Sequence, residues 1–209
     1  MKFTPEFKKA ISQIPSSEKD KLILRLLKRD LILANQLYFN LLDGDSVQSK
    51  RKKMEELVRK KTDQMCAQFY SPGYLLIDMR YLSGDITEHV KITRDKFGEA
   101  SLNLLMLTET LKKCSDKIMG SPANKCYTLG IYVIARIFKI LIIIKSLHED
   151  FLIEFEDGLK ALGKLISENP RLASAADANK FNVNWLLKPS IPDNIANIHK
   201  DIKAKGYLK

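Results

Sequence analysis

An all-α fold, a single-domain bundle or irregular array of about seven helices with a less regular C-terminal tail, is predicted by three features of the sequence. The first is an apolar run from Ile131 to Ile144 broken only by Arg136 and Lys139. The second is apolar spacing of three and four over long stretches, as in Leu104, Leu107, Leu111, Cys114 and Ile118. The third is punctuation by Ser71-Pro72-Gly73, Gly120-Ser121-Pro122 and Asn169-Pro170, which start or stop helices rather than strands.

Taken in order, Thr4-Pro5-Glu6 opens a short helix with Phe7, Ala10, Ile11 and Ile14 on one face, and Pro15 ends it. Ser16 or Ser17 is then expected to cap a second helix of about 25 residues, reaching Leu41 on a wide stripe that includes Leu22, Leu26, Leu33 and Leu37. After Asp43-Gly44-Asp45 a third helix carries Val47, Met54, Val58, Met65 and Phe69 and runs to about Tyr70. The fourth buries Leu75, Met79, Leu82, Ile86 and Val90 and holds Gly84 inside it. A loop near Arg94 to Gly98 leads to the fifth, which ends at Gly120.

The sixth, from about Ser121 to Ser146, is the central helix. At about 100° per residue, Lys125, Thr128, Tyr132, Arg136, Lys139 and Ser146 form one narrow polar strip and the remaining circumference is apolar. A membrane span is disfavoured, because each central Arg or Lys costs about 2.5 to 3.5 kcal/mol against about 0.3 to 0.6 gained per Ile or Leu. Ser146-Leu147-His148-Glu149 has capping-box spacing, so a seventh helix is expected from about Leu147 to Glu168, closed by Asn169-Pro170. Residues 1–170 then form one helical domain. In the tail, 171–209, Pro189 and Pro192 break the periodicity, Phe181, Val183, Trp185, Leu186 and Leu187 dock on the body, and a short helix near Asn194 to Lys203 ends the chain.

At 209 residues and 45% hydrophobic content the chain can bury a sizeable core. Cys66, Cys114 and Cys126 form no C-x-x-C pair and fall within apolar helical patterns, so neither a disulfide nor a zinc site is expected. The start, Met1-Lys2-Phe3-Thr4-Pro5, lacks the apolar core of a secretory signal, and the expected location is cytoplasmic. The net charge of +10 is uneven: residues 1–61 carry 15 Lys/Arg against 8 Asp/Glu, residues 62–170 carry 13 against 14, and the remainder 7 against 3. Basic ends favour an acidic partner, protein or nucleic acid, through long-range steering.

The segment Glu18-Lys19-Asp20-Lys21-Leu22-Ile23-Leu24-Arg25-Leu26-Leu27, with Tyr70-Ser71-Pro72-Gly73-Tyr74 and Leu82-Ser83-Gly84, resembles an uncharacterised all-helical bacterial family. Some of its members carry the label deoxyuridine triphosphate nucleotidohydrolase. The resemblance covers roughly residues 1–170 and brings no catalytic residues with it. All-helical enzymes with that label pair E-x-x-E and E-x-x-D motifs, whose carboxylates hold Mg²⁺ against a triphosphate. Here only Glu154-x-x-Asp157 fits.

Among candidate sites, Lys52, Lys53, Arg59 and Lys60 cluster away from the apolar stripe of the third helix and make a candidate polyanion surface. Asp78, Asp85 and His89 run along one edge of the fourth helix, near Tyr74 and Tyr81, where partial burial tunes titratable groups. Arg136 is expected to meet Asp78 or Asp85, since an unpaired guanidinium in apolar surroundings is costly. Asp150, Glu154 and Asp157 share a face opposite Phe155, Leu159, Leu162 and Ile166, so they are expected to face water. His148 and His199 have no ligand-spaced partner, and no nucleophile, Walker or dinucleotide motif occurs. The sequence thus favours a non-enzymatic helical interaction module with a basic surface, no cofactor, no metal and no membrane partner. The alternative is a metal-dependent nucleotide hydrolase of the all-α type.

Overall fold

Side-chain caps set where most of the helices begin. Thr4, Asp30, Ser46, Ser71, Asp95 and Asn169 each accept a hydrogen bond from a backbone N–H in the first turn of the helix that follows. The computed structural model describes residues 3–188 and 190–209, and among them the chain is all-α: eleven helices, one 3₁₀ turn and no strand. Met1, Lys2 and Pro189, on which the N-terminal reading and one expected helix break partly rest, lie outside the described residues.

The chain divides into two compact units, Met1–Gly44 and Asp45–Lys209. The first holds α1 (Pro5–Gln13), α2 (Ser16–Leu27) and α3 (Leu31–Leu41). None of these three helices has a buried residue, and Phe7, Leu24, Leu31, Tyr38 and Leu41 are among the apolar side chains left exposed. The expected 25-residue second helix is two helices. Asp30 accepts from the Leu33 N–H at 3.0 Å and so begins a new helix, and Lys28-Arg29 supplies the cationic end that suits a helix C-terminus.

The second unit holds α4 (Val47–Ala67), α5 (Pro72–Thr93), α6 (Lys96–Met119), α7 (Ala123–Lys145), α8 (Leu152–Glu168), α9 (Pro170–Ala178), α10 (Asn184–Leu187) and α11 (Ile195–Ala204). α6 packs against α4, α5, α7 and α8, while α7 packs against α5, α6, α9 and α11. By length and composition α7 could span a bilayer, yet Val133, Ile134, Ile137, Phe138, Ile140 and Leu141 are fully covered by these neighbours. At Gly130 the backbone of α7 comes so near α9 that a Cβ there would lie 2.5 Å from that of Ala175.

The capping box expected at Ser146 does not form. The Ser146 hydroxyl donates back to the Ile143 carbonyl, a 3₁₀ turn runs from Glu149 to Phe151, and α8 begins at Leu152. Asn169-Pro170 does close α8 at Glu168, and Pro170 also occupies the first turn of α9 behind Asn169, whose side chain accepts from the Arg171 N–H at 3.1 Å. The C-terminal segment contributes Phe181, Leu186, Ile195 and Ile202 to the buried core, with the Phe181 and Trp185 rings against Phe138.

The expectation of three reduced cysteines is corrected. Cys66 of α4 and Cys114 of α6 have Cα atoms 5.8 Å apart and are joined as a disulfide. Each lies on an apolar helix face, and it is the packing of α4 on α6 that brings them together. Cys126 keeps a buried thiol, whose pKa burial pushes up.

Candidate functional site

The polar strip of α7 ends in an open pocket of about 280 Å³ lined by Tyr132, Ala135, Arg136, Lys139, His199 and Lys203. Helical spacing puts Tyr132, Arg136 and Lys139 on one edge of α7, and the same rule puts His199 and Lys203 on one face of α11. Tyr132 organises the cations: its hydroxyl donates to the Met79 carbonyl of α5 at 3.2 Å and accepts from Arg136 Nη2 at 3.3 Å. The Arg136 guanidinium lies 5.2 Å from the centre of the Tyr132 ring, and Arg80 of α5 approaches the same ring at 6.0 Å.

Charge compensation is incomplete here. Lys139 pairs with Glu99 at 2.6 Å, but Arg80, Arg136 and Lys203 have no carboxylate partner among the described residues. His199 stacks on Phe138 with its Nε2 buried and lacking a hydrogen-bond partner. Burial, and after it the Lys203 ammonium, holds the His199 imidazole below its ordinary range. The pocket thus presents two uncompensated cations, Arg136 and Lys203, with Arg80 nearby over the Tyr132 ring, donors suited to an oxyanion or carboxylate.

The expected Arg136–carboxylate pair is not made. α5 turns Asp78 and Asp85 toward α4, where Asp85 pairs with Lys61 at 2.6 Å and Asp78 lines a shallow pocket with Lys61, Gln64 and Tyr81. Arg80, two residues beyond Asp78 and so about 200° around the helix, is what α5 offers to α7. His89 does share the α4-facing edge with Asp78 and Asp85, near Asp95, Arg51 and Lys50. Burial lowers its pKa against the pull of Asp95, and its Nε2 has no partner.

The basic helix α4 is mostly neutralised from within. Lys53 and Lys50 share Asp45, whose carboxyl Lys53 chiefly holds down to about 2. Arg51 grips Asp95 through two bonds of 2.6 and 2.9 Å, and Arg59 pairs with Glu109 at 2.8 Å. Of the four polyanion candidates, Lys52 and Lys60 alone make no ion pair among the described residues. Arg80 and Lys203 escaped sequence reasoning. Their only signal was position, on helix edges whose neighbours the sequence does not specify.

The acidic candidates Asp150, Glu154 and Asp157 are exposed, and Asp150 faces His148 at 3.0 Å. Glu154 of α8 and Glu55 of α4 line one groove of about 270 Å³ with Phe97, Leu104 and Phe155. Among the described residues no three His, Cys, Asp or Glu side chains gather in a group able to hold a metal ion. No protein-family model, curated protein or solved structure matches this chain.

Proposed function

We propose that this protein is a non-enzymatic helical interaction module that holds an acidic partner on the basic surface around Tyr132. What supports the reading is the contrast within one molecule: α4 carries more cations, but Arg80, Arg136 and Lys203 are the ones clustered without carboxylates. A partner's carboxylate or phosphate would gain charge-assisted bonds there without displacing an internal ion pair. Heparin serves as the probe. Replacing Arg80, Arg136 and Lys203 by Gln is expected to weaken heparin binding at low salt by about tenfold or more and to flatten its salt dependence. The set Lys52, Lys53, Arg59 and Lys60 changed to Gln is expected to do less. Unchanged affinity in the first set overturns the assignment.

One observation favours the rival reading, a metal-dependent nucleotide hydrolase: carboxylates from two helices, Glu55 and Glu154, border the same groove. A panel of nucleoside triphosphates with Mg²⁺ or Mn²⁺ tests it. Turnover lost in Glu154→Gln supports that reading, and an inactive panel removes it.

A further inference from the structure

α5 has two apolar stripes, only one of which is buried within Asp45–Lys209. Leu75, Met79, Leu82 and Ile86 are buried against the second unit. On the opposite side Tyr74, Ile77, Tyr81, Gly84 and Glu88 recur at spacings of three and four, a helix-pairing pattern that faces solvent. Tyr70, just before the helix, sets its ring against Tyr74 at 5.2 Å. Exposures are 79% for Tyr70, 59% for Tyr74, 46% for Ile77 and 72% for Tyr81. No phenol of the three has a hydrogen bond among the described residues.

Gly84 is the second observation. Glycine weakens a helix interior, and here nothing lies within 4 Å of the place where a Cβ would be. Packing within Asp45–Lys209 gives no reason for it. Close approach of another backbone along the stripe does.

We infer that this stripe is a self-association surface, on which α5 of a second copy packs antiparallel. Pairing centred on Met79 sets Ile77 of one copy beside Tyr81 of the other and Tyr74 against Gly84, where the missing side chain leaves room for the ring. Each contact is made twice, as a two-fold axis requires. Taking about 200 Å² for an aromatic side chain, full coverage of the stripe removes about 500 Å² a copy and about 1,000 Å² for the pair, the lower bound for a biological interface and the size of a weak dimer. Self-complementarity, a ring against a glycine on both sides of the axis, points to a second copy rather than to an unlike partner.

Sedimentation velocity on the full chain, from about 1 to about 100 μM, tests the inference. A concentration-dependent dimer is expected. It strengthens with salt, because screening relieves repulsion between two chains of charge +10, whereas heparin binding weakens. Tyr81→Asp and Gly84→Leu are each expected to raise the dimer dissociation constant about tenfold or more, with helical circular dichroism unchanged. Copies carrying Ile77→Cys and Tyr81→Cys are expected to cross-link to each other when mixed. A monomer at every concentration, or a dimer indifferent to Gly84→Leu, overturns the proposal.

Discussion

Asp95 does two jobs with one carboxylate, and both are costly to interrupt. It caps α6 by accepting from the Gly98 N–H at 2.8 Å while binding Arg51 of α4 with both oxygens, its side chain only 5% exposed. Arg51→Met strands that acid and is expected to lower unfolding free energy by about 3 kcal/mol in a denaturant titration. The glycines give a paired test. Gly130→Ala drives a methyl into Ala175 and is expected to cost about 1 to 3 kcal/mol. Gly84→Ala, with open space around it, is expected to add about 0.5 to 1 kcal/mol to the monomer. His89 supplies a pH dependence. Burial lowers its folded-state pKa below 6.5, so the unfolded chain takes up the proton first. Its contribution is complete above pH 6.5 and is lost as pH falls through the folded value, and His89→Gln is expected to flatten the fall in melting temperature over that acid range.

Single elements show which sequence signals decide local structure. Ser71 and Pro72 open α5 as their order predicts, because a β-region cap followed by a preset proline leaves the backbone little choice. Ser146 and Glu149 have the right spacing for a box but no helix on which to use it, since the Ser146 hydroxyl is engaged by Ile143 one turn back. Apolar periodicity also misled across Lys28-Arg29-Asp30, where the stripe continues in phase although the helix does not. Asp30→Ala is expected to remove about 1 kcal/mol from the start of α3, read as lost helical circular dichroism in residues 1–44 expressed alone or within the chain.

At the scale of the whole molecule, the long helices of Asp45–Lys209 and their buried faces were legible, while the apolar stripes of residues 1–44 bury nothing and the identity of neighbours was not legible anywhere. The candidate site shows why: Asp78 and Arg80 differ by two positions, and which of them meets α7 depends on the side from which α7 packs. No periodicity encodes that. The same holds for Cys66 and Cys114, each an ordinary core position until α4 lies on α6. The division at Gly44 yields its own expectation: the chain from Asp45 to Lys209 contains every buried apolar residue found, so without residues 1–44 it is expected to melt within about 4 °C of the full protein in calorimetry.

α6 packs against α4, α5, α7, α8 and α9, and Leu102, Met106, Leu107 and Ile118 have essentially no contact with water. No partial opening can bare its backbone while the surrounding helices stay in place. Its amide protons should therefore be the last in the chain to exchange for deuterium, at the rate of global unfolding, long after those of α1 to α3 have been replaced.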